Sequence, residues 1–176
     1  EDDELIFMFG VVDASESFRS FLADDKEQER KAFEDFVRFA VENLDRYPDS
    51  HIFHYSDPEP ARLKKLASRY GVLESEVQRI VAAMIDLKTV AKASIMPGCA
   101  GYSIKQLERY YSADSKLNRG KLVKGGDDAM FQYHQYLQLR AAGKVADSNE
   151  VMRVILDYNR DDCLSTKLLA EWLESL

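Results

Sequence analysis

Tyr158 and Asp162 stand four residues apart in the stretch Asp157-Tyr158-Asn159-Arg160-Asp161-Asp162-Cys163. From Val151 to Leu173 there is no Gly or Pro, and Val151, Val154, Ile155, Tyr158, Leu168, Leu169 and Trp172 recur at three- and four-residue steps. That pattern predicts a helix with one apolar side. Residues four apart share a helix face, so Tyr158 and Asp162 project together from the side that carries the apolar stripe. An ionised Asp among apolar neighbours is costly unless it is paired, hydrogen-bonded or bound to a metal. Two uses fit so short a pattern. One is a packed tyrosine beside a half-exposed aspartate; the other is an Asp162 that holds a divalent metal while the Tyr158 hydroxyl positions an attacking water.

The elements that must carry these groups follow from apolar patterning. Leu5 to Val12 is a nearly continuous apolar run and reads as a strand buried on both faces, with Glu16 to Leu22 as its antiparallel neighbour across an Asp13-Ala14-Ser15 turn. Asp24-Asp25 opens a long amphipathic helix carrying Phe33, Phe36, Val37, Ala40, Val41, Leu44 and Tyr47, which Pro48 ends. His51 to Tyr55 is a short strand, and Ser56-Asp57-Pro58-Glu59-Pro60 turns directly into a helix with Leu63, Leu66, Ala67 and Tyr70 on one face. Such a turn puts Glu59 at the carboxyl end of a strand, where open α/β sheets place their ligands; helix capping by Asp57 or Glu59 is the plainer use.

Further along, Glu74 to Met84 reads as helix, and Ile85-Asp86-Leu87 leads into a helical segment ending near Ser94. Asp86 suits a helix N-terminus, or an acid supporting a metal site from behind. Ser103 is an N-cap candidate for a helix over 104–111, and 127–142 returns to helix before Gly143. Between them lies a glycine-containing basic loop with Lys116, Arg119, Lys121 and Lys124, suited either to a phosphate backbone or simply to solvent.

At 176 residues, 45% of them hydrophobic, the chain fits one domain with a substantial core. A net charge of -7, from 24 basic and 31 acidic residues, excludes broad non-specific adhesion to nucleic acid but allows a local basic groove. Cys99 and Cys163 are the only cysteines, without Cys-x-x-Cys spacing, which points away from zinc and disulfides and toward a reducing, cytoplasmic setting. No apolar run has the length needed to span a bilayer.

The succession of hairpin, long helix, His54-Tyr55-Ser56-Asp57-Pro58-Glu59 and Tyr158-Asn159-Arg160-Asp161-Asp162-Cys163 resembles the ribonuclease H-like domain of RecB-family nucleases, a branch of the DEDD class of 3′ to 5′ exonucleases. Ile85-Asp86-Leu87 and Tyr102-Ser103-Ile104-Lys105 add to the likeness, which covers nearly the whole chain. It implies an α/β fold, a ribonuclease H-like mixed sheet flanked by helices. It also implies a two-metal site for Mg²⁺ or Mn²⁺ with Glu59 and Asp162 as ligands, and Tyr158 orienting the water. The substrate implied is DNA or RNA, single-stranded, with helicase or other nuclease modules in the same polypeptide. The family's first Asp-x-Glu pair, at the end of a strand, has no counterpart here: Asp2-Asp3-Glu4 has the spacing but no apolar strand before it. The expectation is a single domain over 1–176 from a longer protein, its first strand lying upstream. Glu59 also replaces the usual Asp, so a catalytically degenerate module for binding or scaffolding is the alternative to an active enzyme.

Overall fold

Helix α1 shows how these elements arise. Asp25 adopts extended backbone and its carboxylate accepts the Gln28 N–H, giving α1 a cap at Lys26; the helix runs to Arg46, just ahead of Pro48. Its inner face carries Phe33, Phe36, Val37, Ala40 and Leu44. Phe9 stacks on Phe36 at 5.3 Å and Phe21 meets the same ring edge-on at 5.9 Å, so the hairpin β1 (Met8–Val12) and β2 (Phe18–Leu22) is pinned to α1 through aromatic contacts. Both strands begin a little inside the expected segments. Leu5 to Val12 is half-buried throughout, not buried on both faces, because its hairpin forms a two-stranded sheet of its own.

A computed structural model describes residues 5–56, 58–98, 101–112, 117 and 126–176. After α1 come β3 (Ile52–His54), α2 (Pro58–Tyr70), α3 (Glu74–Ala82), β4 (Met84–Asp86) and α4 (Leu87–Ser94). Then follow α5 (Ile104–Tyr111), α6 (Gly126–Ala141) and α7 (Val145–Glu174). The architecture is α/β, with helices and two small sheets. β3 and β4 pair in parallel, Ile52 opposite Met84, Phe53 opposite Ile85 and His54 opposite Asp86, with α2 and α3 forming the crossover. Strand β4 corrects the expected helix over Glu74 to Met84, which ends at Ala82. Three residues carry too little periodicity to declare a strand; the partner at Ile52–His54 makes it one.

Two compact units are formed. One holds α1 to α5 with Ser165–Leu176 of α7; the other holds Gly10–Ser20, α6 and α7 up to Leu164. In the first, α1, α2 and α3 pack on one another, and a second cluster joins Leu87, Ala91, Leu107, Leu169 and Ala170. In the other, Tyr133 stacks on Tyr136 at 5.8 Å, and Met152 and Ile155 are buried. Asn159 of α7 lies so close to Gly10 that a Cβ there would come 1.7 Å from Asn159 Oδ1. Among the described residues no helix is long and apolar enough to cross a membrane.

Candidate active site

The parallel pair delivers its chemistry at its carboxyl end, where His54 and Asp86 finish side by side. From His54 the chain turns through Tyr55 and Ser56, with Ser56 at φ 82°, in the left-handed region that a non-glycine residue occupies only under constraint. The constraint is visible: Asp86 Oδ1 accepts the Ser56 N–H at 2.8 Å. The same carboxylate accepts the Lys88 N–H at 3.0 Å and the Thr89 hydroxyl at 2.6 Å, capping α4. Asp86 therefore serves as the helix cap and also as the clasp that ties the two strand ends together. Burial alone pushes its pKa up, but these hydrogen bonds and the nearby His54 outweigh burial and bring it below the ordinary aspartate value.

His54 Nδ1 lies 2.7 Å from the Ser56 carbonyl oxygen. A carbonyl only accepts, so Nδ1 carries a proton and donates it to Ser56. Glu59 Oε2 lies 3.6 Å from the same Nδ1. Glu59 sits in the first turn of α2 and keeps 48% of its side-chain surface exposed. Desolvation raises its pKa above the ordinary glutamate value, against the opposing pull of its own backbone N–H, His54 and Arg62. Asp57, the other capping candidate, lies outside the described residues.

Tyr158 and Asp162 are half-buried on α7, in the unit that does not hold Glu59. Their neighbour Asp161 is only 1% exposed. Arg160 Nη2 lies 3.4 Å from Asp161 Oδ1, while Oδ2 is buried with no hydrogen-bond partner among the described residues. Sequence reasoning passed over Asp161, although it lies four residues before Ser165 and eight before Leu169, both fully buried. His54 was likewise read only as strand, and its pairing with Glu59 depends on the Ser56 turn. The basic loop with Lys116, Arg119, Lys121 and Lys124, and the acids Asp2 and Glu4, lie outside the described residues.

A family model described as RNase H superfamily matches residues 1–174. The chain belongs to the RNase H superfamily. No curated protein and no solved structure matches it. Superfamily membership makes this RNase H-like chain a nuclease-like domain concerned with nucleic acid, and nucleases of this kind generally use divalent metals. Each unit by itself offers oxygen donors that suit such a cation in kind: the Glu59 carboxylate in one, and in the other the Asp162 carboxylate and a buried Asp161 Oδ2 with no partner among the described residues. They do not fit in number, because among the described residues no three His, Cys, Asp or Glu side chains converge.

Proposed function

We propose that this RNase H-superfamily chain is a DEDD-type 3′ to 5′ exonuclease domain of the RecB-family kind, hydrolysing phosphodiester bonds of single-stranded DNA or RNA. The observation that carries the reading is the superfamily match over residues 1–174, which spans both the strand-turn-helix at Glu59 and the Tyr158-x-x-x-Asp162 helix. In this reading residues 1–176 act as one domain of a longer cytoplasmic polypeptide with helicase or other nuclease modules. The two small sheets are then parts of one mixed sheet completed by further strands. Glu59 and Asp162 hold Mg²⁺ or Mn²⁺, joined by acids outside the described residues. Bound there, a pair of ions would neutralise charge on the attacking and leaving oxygens of the phosphodiester. Tyr158 orients the water through its hydroxyl, and Lys116, Arg119, Lys121 and Lys124 hold the strand.

One observation favours a second reading, a degenerate module that binds nucleic acid without cutting it: Glu59 stands where the family has Asp. Asp162→Asn in the full-length protein separates the two. An amide keeps the carboxylate's shape without the charge that holds a metal, so cleavage of a labelled single strand with Mn²⁺ should fall by about 10²-fold or more while the metal-free melting temperature holds or rises. Tyr158→Phe should be milder. A variant that melts several degrees lower yet cleaves normally makes Asp162 structural and ends the enzyme reading. Wild-type protein that binds the strand but never cleaves it establishes the degenerate module.

A further inference from the structure

Beyond the ends of β3 and β4, the structure has a cleft of about 540 Å³, walled by the Tyr55-Ser56 turn, by α4 and by the segment entering α5. Lys88, Lys92 and Lys105 line it, with Ser56 and the rings of Tyr55 and Tyr102. Among the described residues no acidic side chain lines it. In a chain of net charge -7, three lysines lining one cleft are a local concentration of positive charge. Lys88 and Lys92 stand four apart on α4, an arrangement in which like charges repel within the helix.

The cleft is also held in shape before any ligand arrives. Asp86, beneath it, directs its oxygens inward to the Ser56 and Lys88 N–H groups and the Thr89 hydroxyl. That clasp keeps Ser56 at its positive φ with Oγ 3.3 Å from Lys88 Nζ. The Tyr55 hydroxyl donates to the Tyr102 carbonyl, and the Tyr102 hydroxyl donates to the Ile95 carbonyl at 2.8 Å, so both rings are anchored by their polar ends. Lysines beside anchored aromatic rings match a nucleotide unit, with phosphate against the lysines and base against a ring. The volume is that of a small-molecule site.

We propose that this cleft binds the phosphate of a nucleotide unit through Lys88, Lys92, Lys105 and the Ser56 hydroxyl. It deepens the nucleic-acid reading, on which it rests, by giving the strand an anchor distinct from the basic loop at 116–124. The ligand is either a phosphodiester within a strand or a free nucleotide.

The test uses fluorescence anisotropy of labelled oligothymidylate with full-length protein in EDTA, across a range of salt. Lys88→Gln, Lys92→Gln and Lys105→Gln should each lower the salt slope by about 0.7, and the triple variant should bind roughly tenfold or more weakly at low salt. Lys64→Gln, on exposed α2 surface, should leave binding unchanged. The charge-preserving triple Lys→Arg variant should bind like wild type, which separates lost charge from lost fold. Competition by dTMP identifies a free-nucleotide site; competition only by longer oligonucleotides identifies a strand site. Equal affinity and slope in wild type and a folded triple Gln variant overturns the proposal. Wild type that cleaves while the triple Gln variant binds normally ends this inference alone. Wild type that binds through these lysines and never cleaves ends the nuclease reading and leaves the cleft standing.

Discussion

Among the described residues two carboxylates are almost completely buried, Glu29 and Asp161, and their surroundings could hardly differ more. Glu29 on α1 is 0% exposed and takes hydrogen bonds from the Ile6 N–H, the Tyr70 hydroxyl and Arg69 Nη1 at 2.9 Å, with Lys26 Nζ at 3.5 Å. It binds the approach to β1, the start of α1 and the end of α2 into one knot. Asp161 on α7 is 1% exposed and, among the described residues, has its sequence neighbour Arg160 at 3.4 Å and no partner for Oδ2. Burying a charge costs free energy that partners must offset. At Glu29 they are present, so the fold alone explains the residue. At Asp161 they are not, and folding gives no reason for a carboxylate beside Asp162.

The largest expected effect is at Glu29. Glu29→Ala removes an acceptor from Arg69, Tyr70 and the Ile6 N–H at once and should lower the unfolding free energy by about 3 kcal/mol in a urea titration. A loss below about 1 kcal/mol would mean that water replaces the knot readily.

Tyr70→Phe removes one of those bonds and should cost about 1 to 2 kcal/mol. It also carries a pH signature. Burial, then the hydrogen bond and charge of Glu29, push the Tyr70 pKa up to about 12 from an ordinary value of 10.0. A group whose folded pKa is raised contributes stability that is fully present below its unfolded pKa and is lost as pH rises through the folded value. Wild type should therefore lose more stability than Tyr70→Phe between about pH 10 and pH 12; parallel urea midpoints over that range would remove Tyr70 from the knot.

The smallest effect is expected at Asp161. Asp161→Ala should stay within about 1 kcal/mol of wild type or gain stability, because it removes an unsatisfied buried oxygen. A loss as large as that of Glu29→Ala would erase the contrast.

Elements with local signals were legible. Asp25 and Pro48 bracket α1, and Ser103 with Gln106 forms the capping box that opens α5. The turn that sets Glu59 was legible too, since a short apolar run meeting Pro58 can only end a strand and start a helix. What stayed hidden depends on distant partners. β4 exists because Ile52–His54 lies beside it, and the cationic cleft exists because the entry to α5 brings Lys105 toward Lys88 and Lys92. Along α7 the buried positions run from Met152 and Ile155 to Asp161, Ser165 and Leu169 as the helix leaves one unit for the other. A single helical stripe fitted to the whole segment therefore favoured Tyr158 and Asp162 and passed over Asp161.

The parallel register of His54 with Asp86 also governs the order in which the molecule assembles. Strands of three residues have too few hydrogen bonds to hold themselves together, and this pair closes across the whole of α2 and α3. Loop-closure entropy must be met before such a nonlocal pairing gains anything, so the pair should register after α2 and α3, which lie within the loop, have formed. The cleft at its end is thus a late product of folding, and a nascent chain acquires its anion grip only when synthesis has passed α5.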